Sequence, residues 1–122
     1  MAVLHRKRNT VSEGRDAETR AAAFLREQGF RILAQNYRWR GGEIDLVARD
    51  GDCLVFVEVK SRRSHHYGAP EESITDAKRT QIARTARHYL TRHPTDLDVR
   101  FDVVALSKGE ARLHRDAFRL EG

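Results

Sequence analysis

Apolar residues recur at helical spacing near the start of the chain. Ala17, Ala21, Phe24 and Leu25 fall on one stripe within Glu13–Gln28, and Gly29 stands where a left-handed C-terminal cap belongs. The period then changes. From Arg31 to Trp39, Tyr37 and Trp39 alternate with polar neighbours, which predicts a first strand. Glu43–Arg49 and Cys53–Ser61 predict two more, separated by Asp50-Gly51, a dipeptide suited to a two-residue hairpin. Arg62 to Ala69 reads as a polar loop. Pro70 fits the first turn of a second helix running to about Arg92, with Ile74, Ala77, Ile82, Ala86, Tyr89 and Leu90 as its buried stripe. Pro94 and Asp96 close it. Val99–Leu106 is a further strand, and Lys108-Gly109 turns into a short one from Ala111 to His114. The expected order is α-β-β-β-α-β-β. A helix between the third and fourth strands permits a right-handed crossover, so the expected class is α/β, a central mixed sheet flanked by helices.

Length and charge narrow the picture. The 122 residues suit one domain, and a chain of this size buries roughly two-thirds of its unfolded surface. With 39% hydrophobic and 34% charged residues, it should fold with a heavily charged exterior. Lys+Arg 23 against Asp+Glu 18 gives +5, which favours a polyanion or an anionic membrane over an acidic protein partner. No stretch approaches the roughly 18 apolar residues of a membrane helix. Residues 1–12 are expected to be a flexible basic arm rather than a signal peptide, because no apolar run follows the basic start, and 13–122 to be the domain. The single cysteine, Cys53, excludes an internal disulfide and a Cys-based zinc site, and suits a reducing cytoplasm.

The informative stretch is Gly42-Glu43-Ile44-Asp45-Leu46-Val47, followed by Leu54-Val55-Phe56-Val57-Glu58-Val59-Lys60. Strand side chains alternate faces. Glu43, Asp45 and Val47 therefore share one face, opposite Ile44, Leu46 and Ala48, while Phe56, Glu58 and Lys60 share a face of the next strand. A two-residue Asp50-Gly51 turn sets Arg49 against Asp52, Asp45 against Phe56 and Glu43 against Glu58. Glu43, Asp45, Glu58 and Lys60 then project from the same side, with Asp45 diagonal to Glu58. Three carboxylates so placed repel one another. Lys60 offsets one charge and a divalent cation the rest, and hard oxygen ligands suit Mg²⁺ or Mn²⁺ rather than zinc. The competing reading is an exposed, solvated charged face. It is weakened by the apolar flanks, which predict a central strand covered on both sides. Glu18 shares a helical stripe with Ala22 and Leu25, at the margin of the buried face. It either leans over the sheet towards Asp45 and Glu58 or pairs with a nearby arginine.

Helix Glu18, strand Asp45 and Glu58-Val59-Lys60 resemble the PD-(D/E)XK nuclease motif. The phrasing Gly-Glu-Ile-Asp-Leu, then Val-Phe-Val-Glu-Val-Lys, closely resembles the YraN family, also called UPF0102, small bacterial proteins similar to archaeal Holliday-junction resolvases. The likeness runs from about Gly14 to Phe118 and includes Tyr67-Gly68-Ala69-Pro70, Lys78, Arg100-Phe101-Asp102-Val103-Val104 and His114-Arg115-Asp116-Ala117-Phe118. Two positions depart from it: Ile44 stands where the motif has proline, and Ala17 where a glycine usually precedes the helix glutamate.

The resemblance implies a restriction-endonuclease-like fold and a metal-dependent endonuclease that hydrolyses phosphodiester bonds. Its implied partner is nucleic acid, DNA ahead of RNA, in branched or flapped form, with no membrane. It further implies one or two Mg²⁺ or Mn²⁺ ions held by Asp45 and Glu58 with the Val59 carbonyl, Glu18 completing the shell directly or through water, and Lys60 orienting water or neutralising the scissile phosphate. Resolvase-like nucleases pair, which implies a homodimer. The alternative is a nucleic-acid-binding module that keeps the scaffold without turnover.

Substrate grip is expected from Arg62 and Arg63, next to Lys60, and from Lys78. Arg79, Arg84, Arg87 and Arg92 are expected to be a solvated helix face, and Arg38 and Arg40 flank Trp39. Trp39 and Tyr37 fit core packing better than base stacking at strand spacing. His65 and His66 lie in a polar loop without a partner motif, Cys53 has no companion base, and Asp102 in its apolar strand suits a structural pairing with arginine.

Overall fold

The computed structural model describes residues 16–61 and 74–119. The N-terminal arm, Arg62, Arg63, His65, His66 and Pro70 lie outside the described residues.

Helix α1 covers 16–27 and ends as the sequence indicates. Gly29 takes φ 94, the Phe30 amide donates to the Leu25 carbonyl at 2.9 Å, and the Gly29 amide donates to the Arg26 carbonyl at 3.0 Å. This pair of bonds is a Schellman cap, which needs a residue tolerant of positive φ. Five strands follow: β1 (Arg31–Trp39), β2 (Gly42–Asp50), β3 (Cys53–Ser61), β4 (Asp98–Ser107) and β5 (Glu110–His114), with helix α2 (Asp76–Arg92) between β3 and β4. They form one sheet in the order β1-β2-β3-β4-β5. Every pairing is antiparallel except β3 with β4, which the α2 crossover makes parallel. The class is α/β with a mixed sheet, as the pattern predicts.

β3 is the central strand, and its alternation feeds two cores. Val55 and Val57 join Leu46, Ala48, Val104 and Leu106 beneath Ala21, Ala22 and Leu25 of α1. Leu54 and Phe56 join Val47, Phe101 and Val103 beneath Ile82, Ala86 and Tyr89 of α2. Burying both faces of a strand explains why it reads as an unbroken apolar run.

Three expectations are corrected. First, the β2–β3 turn is Gly51-Asp52, with Asp50 opposite Cys53, Arg49 opposite Leu54 and Val47 opposite Phe56. Glycine at the first turn position with φ 58 suits a tight hairpin, and Arg100 holds Asp50 in the strand at 2.8 Å. The register is displaced by two residues, so the parity of the faces survives. Second, Ile44 does not share a face with Leu46, since it lies in the α2 core. The alternation of faces breaks where the β2–β3 ladder stops, at Leu46 opposite Val57. Third, α2 begins at Asp76 rather than Pro70. Thr75 is extended and its hydroxyl accepts the Lys78 amide at 3.1 Å, an N-cap that starts the helix there. Ala77 is accordingly exposed, and Thr85 is buried in the stripe.

Candidate active site

The site lies where β2 and β3 part. Beyond Leu46 and Val57 the ladder ends, and the Val59 amide donates instead to Asp45 Oδ2 at 2.7 Å. A side chain thus replaces a backbone carbonyl as acceptor, and it fixes the Asp45 carboxylate in the fork between the strands. Glu58, the preceding residue on β3, is 7% exposed. Lys60 Nζ lies 3.8 Å from Glu58 Oε2 and Lys78 Nζ lies 3.6 Å from the same oxygen. Burial first, then hydrogen bonding to Asp45 and its charge, push the Glu58 carboxyl up to about 8, while Lys78 and Lys60 pull the other way. The two carboxylates therefore meet in the fork where the strands part.

Glu18 approaches from the other layer. Burial, then the charges of Asp45 and Glu43, raise its carboxyl above the usual range, against a smaller opposing effect of Arg38. Glu43 is where the sequence reading fails. It lies opposite Arg38 on β1 and takes Arg38 Nε at 3.0 Å, rather than facing Glu58. An oppositely charged cross-strand neighbour outcompetes a carboxylate that would repel it.

Lys78 sits closer to the carboxylates than a phosphate-gripping residue on an outer helix face would. Its helical phase contains the signal: Lys78, Ile82, Thr85 and Tyr89 recur at i, i+4, i+7 and i+11, so the lysine extends the buried stripe. Close approach of α2 to the start of β2 also requires Gly42. Its φ is 151, and a Cβ there would lie 2.5 Å from the Gln81 side chain.

The aromatic residues of β1 are packing elements. Trp39 Nε1 donates to Thr85 Oγ1 at 2.9 Å and its ring stacks on His88 at 4.6 Å, while the Tyr37 hydroxyl meets His88 Nδ1 at 2.7 Å. Asp102 is fully buried and bound by Arg100 through two 2.8 Å contacts, and it also accepts the Asp116 amide at 2.9 Å. It is structural, as its apolar strand suggests.

Among the described residues no group of three or more His, Cys, Asp or Glu side chains forms a ready cage for a metal ion. The donor pair Asp45 and Glu58 still fits a hard divalent cation in its chemistry. Two touching carboxylates, one of them holding its proton to about pH 8, present oxygen ligands from which a cation would displace that proton. No helix among the described residues is long and apolar enough to cross a membrane.

Residues 17–106 match the model of a family described as "Uncharacterised protein family UPF0102". Similar proteins include a UPF0102 protein of Lachnoclostridium phytofermentans, 51% identical over 116 residues, covering 93% of this chain and 98% of the relative. One from Syntrophus aciditrophicus is 47% identical over 123 residues, 97% of each chain. One from Nitrosomonas europaea is 48% identical over 110 residues, 88% of this chain and 93% of the relative. The matched span contains Glu18, Asp45, Glu58, Lys60 and Lys78.

Proposed function

Because the chain belongs to family UPF0102, its carboxylate fork is read in that setting, and we propose that it is a metal-dependent nuclease hydrolysing phosphodiester bonds in DNA. One juxtaposition supports the reading. Asp45 and Glu58 touch at the end of a strand ladder, and two ammonium groups lie within 4 Å of one Glu58 oxygen. The order Glu18, Asp45, Glu58-Val59-Lys60 adds the likeness to the PD-(D/E)XK motif.

Hydrolysis joins a water oxygen to phosphorus and breaks the bond to the leaving sugar oxygen, which takes up a proton. A divalent cation, Mg²⁺ or Mn²⁺, held by Asp45 and Glu58 with Glu18 within electrostatic reach, would supply Lewis acidity and acidify its bound water. The chain's own groups do the rest. The Val59 amide keeps Asp45 from rotating away, and Lys60 and Lys78 put positive charge where a phosphate oxygen gains negative charge. Burial of Glu58 keeps these interactions in a medium of lower dielectric than water. A single free cysteine, Cys53, suits a reducing compartment such as the cytoplasm.

The test is cleavage of labelled branched and linear DNA with Mg²⁺ or Mn²⁺ by wild type, Asp45→Ala and Glu58→Gln proteins. Wild-type cutting lost in both variants is expected. Equal cutting by all three, or none by wild type with either ion, rejects the nuclease; salt-sensitive binding without cutting would favour a binding module.

A further inference from the structure

The outer side of α2 is exposed at Arg84, Arg87 and Arg92, as expected, and it is also concave. Arg79, Arg84 and Arg87 line a groove of about 590 Å³, with Arg119 from the segment after β5 also lining it. Helical spacing explains the shape. Thr80 and Ala83 share that side of the helix at i+1 and i+4 from Arg79, and their short side chains leave a floor between the longer arginines. Among the described residues Asp76 is the one acidic residue in the lining.

Three observations show that these cations are available. Among the described residues, Arg84 and Arg87 form no ion pair or hydrogen bond to an acidic side chain. Among the described residues Arg79 forms no ion pair either, and its Nε is buried without a hydrogen-bond partner, so no acidic side chain there neutralises it. Among the described residues Arg119 is held only by Asp116, in a pair whose arginine side chain is 82% exposed, the kind of contact that competes weakly with a new anion. Arginines gathered in a concavity repel one another, and a polyanion relieves that repulsion.

Side-chain packing also links the groove to the neighbourhood of Glu58. The Arg79 guanidinium lies 5.5 Å over the Phe118 ring, and Phe118 lines a small cavity with Glu58, Ile44 and Ile82. From Arg79 to Arg87 the helix rises about 12 Å, a span matching three to four phosphates along one strand of a duplex.

We infer that the Arg79–Arg84–Arg87–Arg119 groove is a binding site for the phosphate backbone of nucleic acid. This inference rests on the proposed nucleic-acid substrate and adds the path by which that substrate is held. Guanidinium forks suit phosphate oxygens at fixed geometry, and a backbone site of this kind carries no base preference.

The experiment is fluorescence anisotropy of the full chain with a labelled 20-base-pair duplex in EDTA, over a series of salt concentrations. Arg84→Gln/Arg87→Gln is compared with wild type and with Arg26→Gln, an exposed arginine on α1 across the sheet. Circular dichroism confirms that each variant is folded. The double variant is expected to bind about tenfold more weakly or worse, with the slope of log Kd against log salt reduced by about two, one unit per lost phosphate contact. Arg26→Gln is expected to leave that slope within a few tenths. An unchanged slope in the double variant, or an equal fall for Arg26→Gln, overturns the groove. The outcomes separate the two claims. Cutting with an unchanged slope rejects the groove and keeps the nuclease, whereas a slope that falls in a protein that never cuts keeps the groove and rejects the nuclease.

Discussion

Lys78 Nζ lies 3.6 Å from Glu58 Oε2, nearer than the 3.8 Å of Lys60, although Lys60 is the lysine of the strand motif. One ammonium comes from the strand that carries Glu58 and the other from the first turn of α2, after the parallel crossover. Two cations of different origin thus meet a single buried carboxylate.

If both ammonium groups stabilise charge on a transferring phosphate, each has a kinetic signature. Lys60→Ala and Lys78→Ala should each lower the single-turnover cleavage rate by about 10²-fold at saturating DNA, the cost typical of removing one transition-state donor. The Lys78 variant should also change DNA affinity less than rate. A Lys78→Ala protein that cuts at the wild-type rate would place its ammonium outside the reaction.

Stability should depend on pH in a direction set by Glu58. Its carboxyl rises from 4.5 in the unfolded chain to about 8 in the fold, so the folded state holds the extra proton. The stability this proton provides is complete below about pH 4.5 and is lost as pH climbs through about 8. In metal-free buffer, urea unfolding of wild type minus that of Glu58→Gln should therefore shrink by a few kcal/mol, at most about 5, between pH 5 and pH 8.5. A difference that stays constant over that range would contradict the assigned environment of Glu58.

The Arg100–Asp102 pair should matter for folding and not for chemistry. Asp102 is wholly buried and Arg100 also binds Asp50 at 2.8 Å, so Asp102→Ala leaves a partly buried guanidinium with one partner fewer. The expected loss is about 3–5 kcal/mol in chemical denaturation, with cleavage per folded molecule unchanged. Loss below about 1 kcal/mol would mean that the pair is replaceable.

Trp39 should behave as a packing residue. It is engaged with Thr85 and His88, so Trp39→Leu should cost about 2 kcal/mol or more of stability and leave DNA affinity unchanged. Base stacking would instead show as about 1–3 kcal/mol of lost binding.

Most of this architecture is legible in the sequence because its causes are local. The Gly29 cap, the strand limits from Arg31 to Trp39 and the doubly buried run of β3 each follow from a short pattern. The parity that sets Val47 opposite Phe56 also follows, since any even displacement of the hairpin preserves it. What was hidden depends on partners distant in sequence. Glu43 turns to Arg38 because β1 lies beside β2, and Ile44 changes core where a ladder ends. The Thr75 cap is obscured by Pro70, the louder helix-start signal, and with it the inward phase of Lys78. The groove needed the segment after β5 to be placed against α2 before its arginines formed one surface.

The claim beneath all of this is that Asp45 and Glu58 act together on one divalent cation. Calorimetric titration of Mn²⁺ into the metal-free protein, repeated in buffers of different ionisation enthalpy at pH 7, tests it most directly. Saturable binding that releases close to one proton per ion, and that vanishes in both Asp45→Asn and Glu58→Gln, is the expected result. Binding that persists in either variant, or no saturable binding in wild type, would contradict a shared cation site.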